Sequence, residues 1–297
     1  MAITQRRFRP SDVADVGAFL VEHYQPDNRD GNWLRPAWDY MHSHPNLQES
    51  ALDRIGIWEE EGRIVGVVHF EDGPGTAHFQ FHPDFPELKK EMLAYAQEYL
   101  PWVEEDGIKR LIIYSDDFDN DFEDLASREG FVRLEREDRI DTRLLIPEEI
   151  PAPQLPEGYR IKSLREDNNL AKIHRVLWRG FDHPGEPPQE GIQWRVKMQS
   201  SPNFRKDLTL IVENPAGDFV VYCGMWIVPE NRYGYIEPLA TDPDFRRMGL
   251  ARTAVWEGIR RCQAEGAERI YVGSDQPFYR SLGFVPLHKT HSWQKDY

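Results

Sequence analysis

The stretch from residue 236 to residue 251, IEPLATDPDFRRMGLA, constrains the fold of this chain more than any other. An apolar run that predicts a strand leads into a short turn, and a helical pattern begins near Gly249. The first backbone N–H groups of a helix have no partner inside the helix, and the helix dipole favours negative charge beside them. Because Gly249 and Ala251 have little or no side chain, a phosphate can approach the backbone closely. The stretch therefore predicts an anion site, with Arg246 and Arg247 adding positive charge.

Three pairs of similar segments indicate that the chain contains an internal repeat. The pairs are HPDF at 82–85 with DPDF at 242–245, GIKRLIIYSDDF at 107–118 with GAERIYVGSDQPF at 266–278, and LASREGF at 125–131 with FYRSLGF at 278–284. A proline-rich segment at 146–159 is typical of a connection between domains. We therefore predict two tandem α+β units, a first domain at residues 1–148 and a second at 149–297.

The apolar pattern of the second unit predicts strands and helices in a definite order. Strands are expected at 159–164, 208–214, 219–229, 233–241 and 268–274, helices at 167–181, 189–199, 249–265 and 277–282, and two short strands at 284–293. Pro238 lies inside one of the expected strands. Because proline cannot donate to a hydrogen-bond ladder, Pro238 predicts a bulge or an unpaired edge.

Charge is distributed unevenly along the chain. Residues 1–150 contain 16 Lys and Arg against 33 Asp and Glu, a net of −17, whereas residues 151–297 contain 20 against 18, a net of +2. The second half is therefore the better host for a polyanionic cofactor. The acidic first half is typical of a soluble surface, and it could alternatively steer a cationic amine. No basic stripe suggests nucleic-acid binding, and no apolar run suggests a membrane span.

The loop at 246–251 resembles the acyl-CoA pyrophosphate loop of the GNAT superfamily of N-acetyltransferases, whose pattern is Gln/Arg-x-x-Gly-x-Gly/Ala. Arg246, Gly249 and Ala251 match that pattern, and the second motif, YRSLGF at 279–284, follows the next helix and strand. The order of the expected elements is also similar to the GNAT fold. This resemblance implies two tandem GNAT-like domains, each with a mixed, mostly antiparallel central sheet flanked by helices. It further implies that the second domain binds acyl-CoA.

The resemblance also implies which residues bind the cofactor. They are Leu239, Ala240, Thr241, Arg246, Arg247, Met248, Gly249, Leu250 and Ala251. In the family, the strand that corresponds to 233–241 splays from the next parallel strand, and the gap holds the pantetheine arm. A backbone N–H near Leu239 or Ala240 is expected to stabilise the oxyanion.

Two side chains are expected to take part in the chemistry of acetyl transfer. Tyr279 corresponds to the family tyrosine that protonates the departing CoA sulfur, and a phenol has a pKa of about 10 against about 8.5 for a thiol. Glu237 is the expected general base, acting directly or through water. The alternatives for the base are His288, His291 and the terminal carboxylate of Tyr297.

The first half departs from the family pattern at both motifs. After the HPDF segment the chain has no Gly-x-Gly/Ala, and Glu87 places a negative charge where a pyrophosphate would lie. Ala126 stands at the position that corresponds to Tyr279. We therefore expect residues 1–148 to form a degenerate unit with a structural, non-catalytic role.

No metal site is expected. His78, Gln80 and His82 alternate along a predicted strand, a spacing that can bind zinc, but no cysteine or paired carboxylate completes the set. The two cysteines and the absence of an apolar leader are consistent with the reducing cytoplasm.

Taken together, these features predict a cytoplasmic N-acetyltransferase with acetyl-CoA as co-substrate. The acetyl group would pass directly to a primary amine of a small, cationic molecule. Two alternatives stay open. One is a non-catalytic acyl-CoA-binding sensor or partner-binding module, and the other is an acetyltransferase that acts on a protein or peptide amine.

Overall fold

The computed structural model describes residues 3–134 and 138–297, and the chain separates into two compact units. Unit 1 comprises Met1–His42, Asn46–Asp141 and Pro286–Tyr297, and unit 2 comprises Ser43–Pro45 and Thr142–Val285. The boundary expected from the sequence, between residues 148 and 149, divides the chain differently. The difference arises because each unit contains a strand from the other half of the sequence.

Strands and helices follow each other in mixed order along the described chain. The first half contains β1 (Thr4–Arg7), α1 (Asp12–Glu22), α2 (Arg35–Ser43), β2 (Gly56–Glu60), β3 (Arg63–His69), β4 (Thr76–Phe81), α3 (Leu88–Tyr99), β5 (Trp102–Val103), β6 (Lys109–Asp116), α4 (Asn120–Arg128), β7 (Val132–Arg133) and β8 (Arg139–Leu145). The second half contains β9 (Arg160–Ser163), α5 (Leu170–Gly180), α6 (Ile192–Met198), β10 (Leu210–Glu213), β11 (Phe219–Val228), β12 (Tyr233–Thr241), α7 (Leu250–Ala264), β13 (Arg269–Val272), α8 (Pro277–Ser281) and β14 (Val285–Asp296). No helix in the described ranges combines the length and apolarity that a bilayer crossing requires.

The two units have sheets of the same topology. The strand order is β1-β2-β3-β4-β6-β14 in unit 1 and β9-β10-β11-β12-β13-β8 in unit 2. The fourth and fifth strands of each order are parallel, and every other neighbouring pair is antiparallel. This arrangement confirms the predicted α+β class and the mostly antiparallel sheets, and it shows that the internal repeat extends to strand order.

The last strand of each sheet comes from the other half of the sequence. Residues Thr290 to Asp296 of β14 pair with β6 in unit 1, and residues Thr142 to Leu145 of β8 pair with β13 in unit 2. Each closing strand covers an edge that would otherwise expose unpaired backbone groups. The prediction of two short strands at 284–293 is wrong, because one continuous strand of 12 residues runs from Val285 to Asp296.

The core of unit 2 lies on both faces of its sheet. Strand β11 (FVVYCGMWIV) is buried along nearly its whole length, as expected for a strand that is covered on both faces. Helices α5 and α7 both pack against it. The proline-rich segment is part of this unit, since the carbonyl oxygen of Gln154 accepts a hydrogen bond of 2.8 Å from Thr253 of α7. Strand β11 and helix α7 together fix the position of β12, from which the site is built.

Candidate active site

The loop between β12 and α7 has the geometry of an anion site. After a 3-10 turn at Pro243–Phe245, the chain passes through Arg247 and Gly249, whose φ angles are 65° and 79°. Gly249 is the N-terminal cap of α7 and provides no side chain to the first N–H groups of this 15-residue helix. A Cβ at position 249 would meet no atom within 4 Å, so the space in front of the helix is open. The open N–H groups and the helix dipole both favour a bound anion.

Arg246 has its guanidinium turned towards the end of α5. It donates to the carbonyl oxygen of Gly180 at 3.0 Å, to Oδ1 of Asp182 at 2.8 Å and to the carbonyl oxygen of Thr241 at 3.2 Å. Arg246 therefore fixes the loop to α5, and part of its charge is already shared with Asp182. The neighbouring Arg247 has an exposed side chain.

Asp242 anchors the start of the same loop. Its carboxylate is buried and accepts hydrogen bonds from Nε and Nη2 of Arg179 at 2.6 and 3.0 Å, and from the backbone N–H of Asp244 at 3.1 Å. Burial by itself would raise the pKa of Asp242, but the hydrogen bonds outweigh burial and hold the pKa below its usual value. An aspartate directly before Pro243 is a typical signal for a turn, but the local sequence does not indicate that Arg179 would be its partner.

A cleft with a volume of about 680 Å³ lies between the loop and α8. Its walls contain most of the residues expected at the cofactor site, together with Tyr279. The lining residues are Gly180, Phe181, Asp182, Leu239, Thr241, Phe245, Arg246, Arg247, Gly249, Leu250, Ala251, Arg252, Gln276, Phe278 and Tyr279. Three expected residues do not line it. They are Ala240, which is buried against α5, Met248, which is exposed, and Glu237.

Strand β12 carries the bulge that Pro238 predicts. Cys223 of β11 pairs with Leu239 and Met225 pairs with Ile236, so Glu237 and Pro238 together lie opposite one residue, Gly224. The carbonyl oxygen of Glu237 accepts a hydrogen bond of 2.8 Å from Nε1 of Trp226. The bulge is therefore held by a side chain as well as by the strand ladder.

Beyond the bulge, one edge of β12 is open. The parallel ladder with β13 joins only Tyr233, Gly234 and Tyr235 to their partners, although β12 continues to Thr241. The two strands therefore diverge, as the resemblance implies. Backbone groups at such an edge can pair with an extended ligand in the manner of an added strand.

Tyr279 lies in α8 and is only 7% exposed. Its ring packs edge-on against Phe278 and Phe284, with centroids 5.2 and 5.7 Å away. No hydrogen bond of its hydroxyl is found among the described residues, and the residue lines the cleft. Burial raises the pKa of Tyr279, and the nearby Cys223 and Glu237 raise it further. The phenol is therefore protonated at neutral pH and free to donate to a ligand.

Glu237 is half-buried at the bulge, and its charge acts on Tyr279. Glu237 and Tyr279, the two side chains expected to take part in the chemistry, are therefore electrostatically coupled: the charge of Glu237 contributes to the raised pKa of Tyr279. The alternative bases lie in unit 1. His288 is 3.4 Å from Oδ1 of Asp116, and His291 is 2.6 Å from Oε1 of Glu123, so both histidines already have carboxylate partners.

The corresponding loop of unit 1 lacks the features of an anion site. Glu87 caps α3 without a side-chain hydrogen bond, and its charge opposes an anion at that helix terminus. Lys89 is paired with Asp119 at 2.6 Å. Ala126, at the position that corresponds to Tyr279, is buried in the core of unit 1.

The sequence of the second half matches a known family. Residues 169–284 match the Acetyltransferase (GNAT) family. The matched segment begins at the start of α5 and includes the bulged strand, the anion loop and Tyr279. The match defines the class of this segment: residues 169–284 belong to the Acetyltransferase (GNAT) family, and unit 1 repeats the strand order of the sheet that contains it.

Known proteins of this class are similar to the chain in sequence or in fold. It is 28% identical over 173 residues to the mycothiol acetyltransferase of Saccharomonospora viridis, and the match covers 54% of this chain and 56% of that protein. The chain thus spans about half the length of this curated relative. A tandem GNAT protein from the clavulanic acid biosynthesis pathway has a TM-score of 0.69 at 15% identity, covering 99% of this chain and 98% of that one. A GCN5-related N-acetyltransferase from Sphaerobacter thermophilus has a TM-score of 0.65 at 14% identity, covering 99% and 95%.

At these levels of identity, the two solved structures show the fold alone. The tandem GNAT protein shows that two such units in one chain are a known arrangement of this fold. Within residues 3–134 and 138–297, no group of three or more His, Cys, Asp or Glu side chains is arranged to hold a metal ion.

Proposed function

We propose that this chain is an N-acetyltransferase that moves the acetyl group of acetyl-CoA to a primary amine of a small, cationic molecule. One observation carries the proposal: the cleft of unit 2 is lined by the anion loop before α7, by β12 and by Tyr279. A thioester with its pyrophosphate at the loop would extend along the open edge of β12. Its sulfur would then reach the buried phenol.

The donor would be held mainly by backbone groups. The N–H groups at Leu250 and Ala251 would bind the pyrophosphate, with Arg247 exposed beside them. The unpaired edge of β12 would pair with the amides of the pantetheine arm. A backbone N–H near Leu239 or Ala240 would stabilise the oxyanion of the tetrahedral intermediate.

Transfer would be direct, without an acyl-enzyme intermediate. Glu237, or a water molecule that it orients, would remove a proton from the attacking ammonium so that the free amine attacks the thioester carbonyl. The C–N bond forms, the nitrogen gives its second proton to solvent, and the C–S bond then breaks with the electron pair leaving on sulfur. Tyr279 would donate a hydrogen bond to the departing sulfur. Because its raised pKa lies well above that of a thiol, we expect stabilisation of the thiolate rather than complete proton loss by the phenol.

The acceptor is proposed to be a small molecule. The name of the related mycothiol acetyltransferase supports a small-molecule acceptor over a protein, and the net charge of −15 supports a cation over an anion. We also propose that residues 149–297 carry the acyl-CoA site, whereas residues 1–148 do not catalyse. Glu87 and the Lys89–Asp119 pair support this division.

The test is release of free CoA thiol from acetyl-CoA across a panel of small primary amines, with a no-amine control. An amine-dependent signal that is lost in Tyr279→Phe and in Glu237→Gln would support the proposal. If acetyl-CoA binds but no amine in the panel gives turnover, the proposal fails, and an acyl-CoA sensor or a protein acetyltransferase becomes the better reading.

A further inference from the structure

We propose that Arg252 forms a second anion subsite in the cleft of unit 2, one that takes a phosphomonoester: the 3′-phosphate on the ribose of CoA. The inference rests on the proposed function, because it takes acyl-CoA as the ligand of the cleft. It adds a partner for a phosphate that neither the open N–H groups of α7 nor the unpaired edge of β12 accounts for.

Arg252 lies on the first turn of α7, and its exposed side chain lines the cleft. It follows directly after Leu250 and Ala251, whose N–H groups are proposed to bind the pyrophosphate. In CoA, one ribose carries both the pyrophosphate and the phosphomonoester. A phosphomonoester therefore has to lie close to a pyrophosphate that is bound at this turn.

Two hydrogen bonds hold the guanidinium of Arg252 against the end of α8. Its Nη2 donates to the carbonyl oxygen of Ser281 at 2.9 Å and to Oγ of the same residue at 3.1 Å. The Ser281 hydroxyl donates in turn to the carbonyl oxygen of Phe278 at 2.7 Å, so its lone pairs are left for the arginine. The guanidinium thus has a defined position between α7 and α8.

Most of the hydrogen-bonding capacity of Arg252 is unused. A guanidinium has five N–H donors, and Nε and Nη1 together provide three of them. Within residues 3–134 and 138–297, neither of these nitrogens donates to a protein group. Arg252 can therefore donate to phosphate oxygens while it keeps its contact with α8, and phosphate is an anion whose geometry suits a guanidinium.

The charge of Arg252 is not compensated by a carboxylate. Among the described residues, its hydrogen-bond acceptors are the two neutral oxygen atoms of Ser281. The nearby Asp275 is paired with Arg280, whose Nε donates to its Oδ1 at 2.9 Å. Arg246 differs from Arg252, because Asp182 lies 2.8 Å from its Nη2 and shares its charge.

The balance of charge along the cleft favours a ligand with more than one phosphate group. The described lining includes three arginines, Arg246, Arg247 and Arg252, against one carboxylate, Asp182, which is bound to Arg246. A phosphomonoester carries nearly two negative charges at neutral pH, since its second pKa is about 6. With the pyrophosphate at the helix N-terminus beside Arg247, Arg252 is the cation that remains for the phosphomonoester.

A purely structural role for Arg252 predicts a different result. By joining α7 to α8, Arg252 would help to position Tyr279, which precedes Ser281 by two residues. Loss of that support would weaken every acyl-CoA equally, whether or not it carries the 3′-phosphate. Two donors that differ in this group alone therefore separate the two roles.

The test is calorimetric titration of the full chain with acetyl-CoA and with acetyl-3′-dephospho-CoA. The variant is Arg252→Gln, whose amide can still donate to Ser281 but has no charge. The matched control is Arg247→Gln, which removes the same charge from the same cleft beside the pyrophosphate. Both donors are titrated without an amine, so the result does not depend on turnover.

We expect the wild-type protein to bind acetyl-CoA about fivefold or more tightly than the dephospho form, as for a charge-assisted contact at an exposed site. Arg252→Gln should bring the two affinities within about twofold of each other. Arg247→Gln should weaken both donors and keep their ratio. The wild-type preference should also shrink as salt is added, because the contact is exposed.

Equal affinity of the wild-type protein for the two donors would overturn the subsite, and so would an equal loss of both donors in Arg252→Gln. A preference that disappears in Arg247→Gln instead would assign the phosphomonoester to Arg247 and overturn the role of Arg252. If neither donor binds, the proposed function fails together with this inference. Absent turnover, with both affinities as expected, would count against the proposed acetyl transfer alone.

Discussion

Gly224 of β11 lies directly opposite the bulge at Glu237 of β12, so closely that a Cβ on Gly224 would come within 2.3 Å of the Glu237 carbonyl oxygen. That atom belongs to the backbone and cannot turn aside as a side chain can. Strand β12 can therefore adopt its bulged shape at the cleft only because residue 224 has no side chain.

Gly224→Ala should lower both stability and activity. Because the bulge must shift to make room, we expect a loss of about 1–3 kcal/mol in the free energy of unfolding, measured by urea denaturation. The KM for acetyl-CoA should rise as well. Gly66→Ala is the matched control, since Gly66 also lies in a central strand but its Cβ would meet the flexible side chain of Met92 at 2.9 Å. Equal losses of acetyl-CoA affinity in the two variants would contradict this role for Gly224.

Tyr279→Phe should lower kcat by about 10²-fold and leave the KM for acetyl-CoA nearly unchanged, because only the hydroxyl is lost. Tyr233→Phe removes another buried phenol of unit 2, and it should retain activity because Tyr233 does not line the cleft. The measurement is steady-state kinetics, with kcat and the KM for acetyl-CoA compared between the two variants. Full turnover by Tyr279→Phe would remove this residue from the mechanism.

The raised pKa of Tyr279 predicts the alkaline side of the pH profile. A raised pKa means that the phenol keeps its proton to higher pH than a free tyrosine, which ionises at about 10. We therefore expect kcat to show no loss between pH 8 and about 10. The measurement is kcat at saturating substrates in overlapping buffers, with stability checked at each pH. A fall in kcat centred below about 9.5, with the fold intact, would show that the phenol ionises normally.

Asp242→Asn should destabilise unit 2 and loosen the anion loop. The change removes the charge that binds Arg179, and the loss of a charge-assisted hydrogen bond costs about 1.5–3 kcal/mol. The pKa of Asp242 is depressed, so its contribution is fully present above the pKa of an unfolded aspartate, about 3.9, and is lost as the pH falls through the lower folded value. Denaturation midpoints should therefore differ between wild type and variant at pH 7 and converge below about pH 4. A constant difference down to pH 2 would contradict the assignment.

Gly249→Glu should abolish acyl-CoA binding more completely than Gly249→Ala. Both variants place a side chain at a φ of 79°, which costs about 1 kcal/mol or more. Only the glutamate adds a negative charge at the helix N-terminus, and we expect it to weaken binding by a further tenfold or so. Calorimetry with acetyl-CoA provides the comparison. Equal affinities of the two variants would mean that the anion does not lie at residue 249.

The same titration of the wild-type protein should give one acyl-CoA site per chain. Unit 1 has Glu87 at the start of α3 and the Lys89–Asp119 pair nearby, and neither arrangement suits a pyrophosphate. Two equal sites per chain would contradict the proposal that the first half is degenerate.

Much of unit 2 was predictable because its signals are local. The apolar pattern of β11, the proline inside β12 and the Gly249 cap each depend on a few consecutive residues. Pro238 predicted a bulge because proline cannot donate, and the structure has the bulge at that residue. The strand at 285–296 was predicted as two pieces, because its continuity depends on β6, a partner far away in the sequence.

The sequence by itself determined the class of this protein, since strand, loop and helix follow each other within 16 residues and backbone propensities act over that range. Tertiary structure decided three further features. These are the exchange of the closing strands, the burial of Asp242 against Arg179 and the meeting of Tyr279 with the anion loop. Each joins residues that are distant along the chain. Such contacts depend on packing and on hydrogen bonds that form only once the sheets are assembled, and no local pattern encodes them.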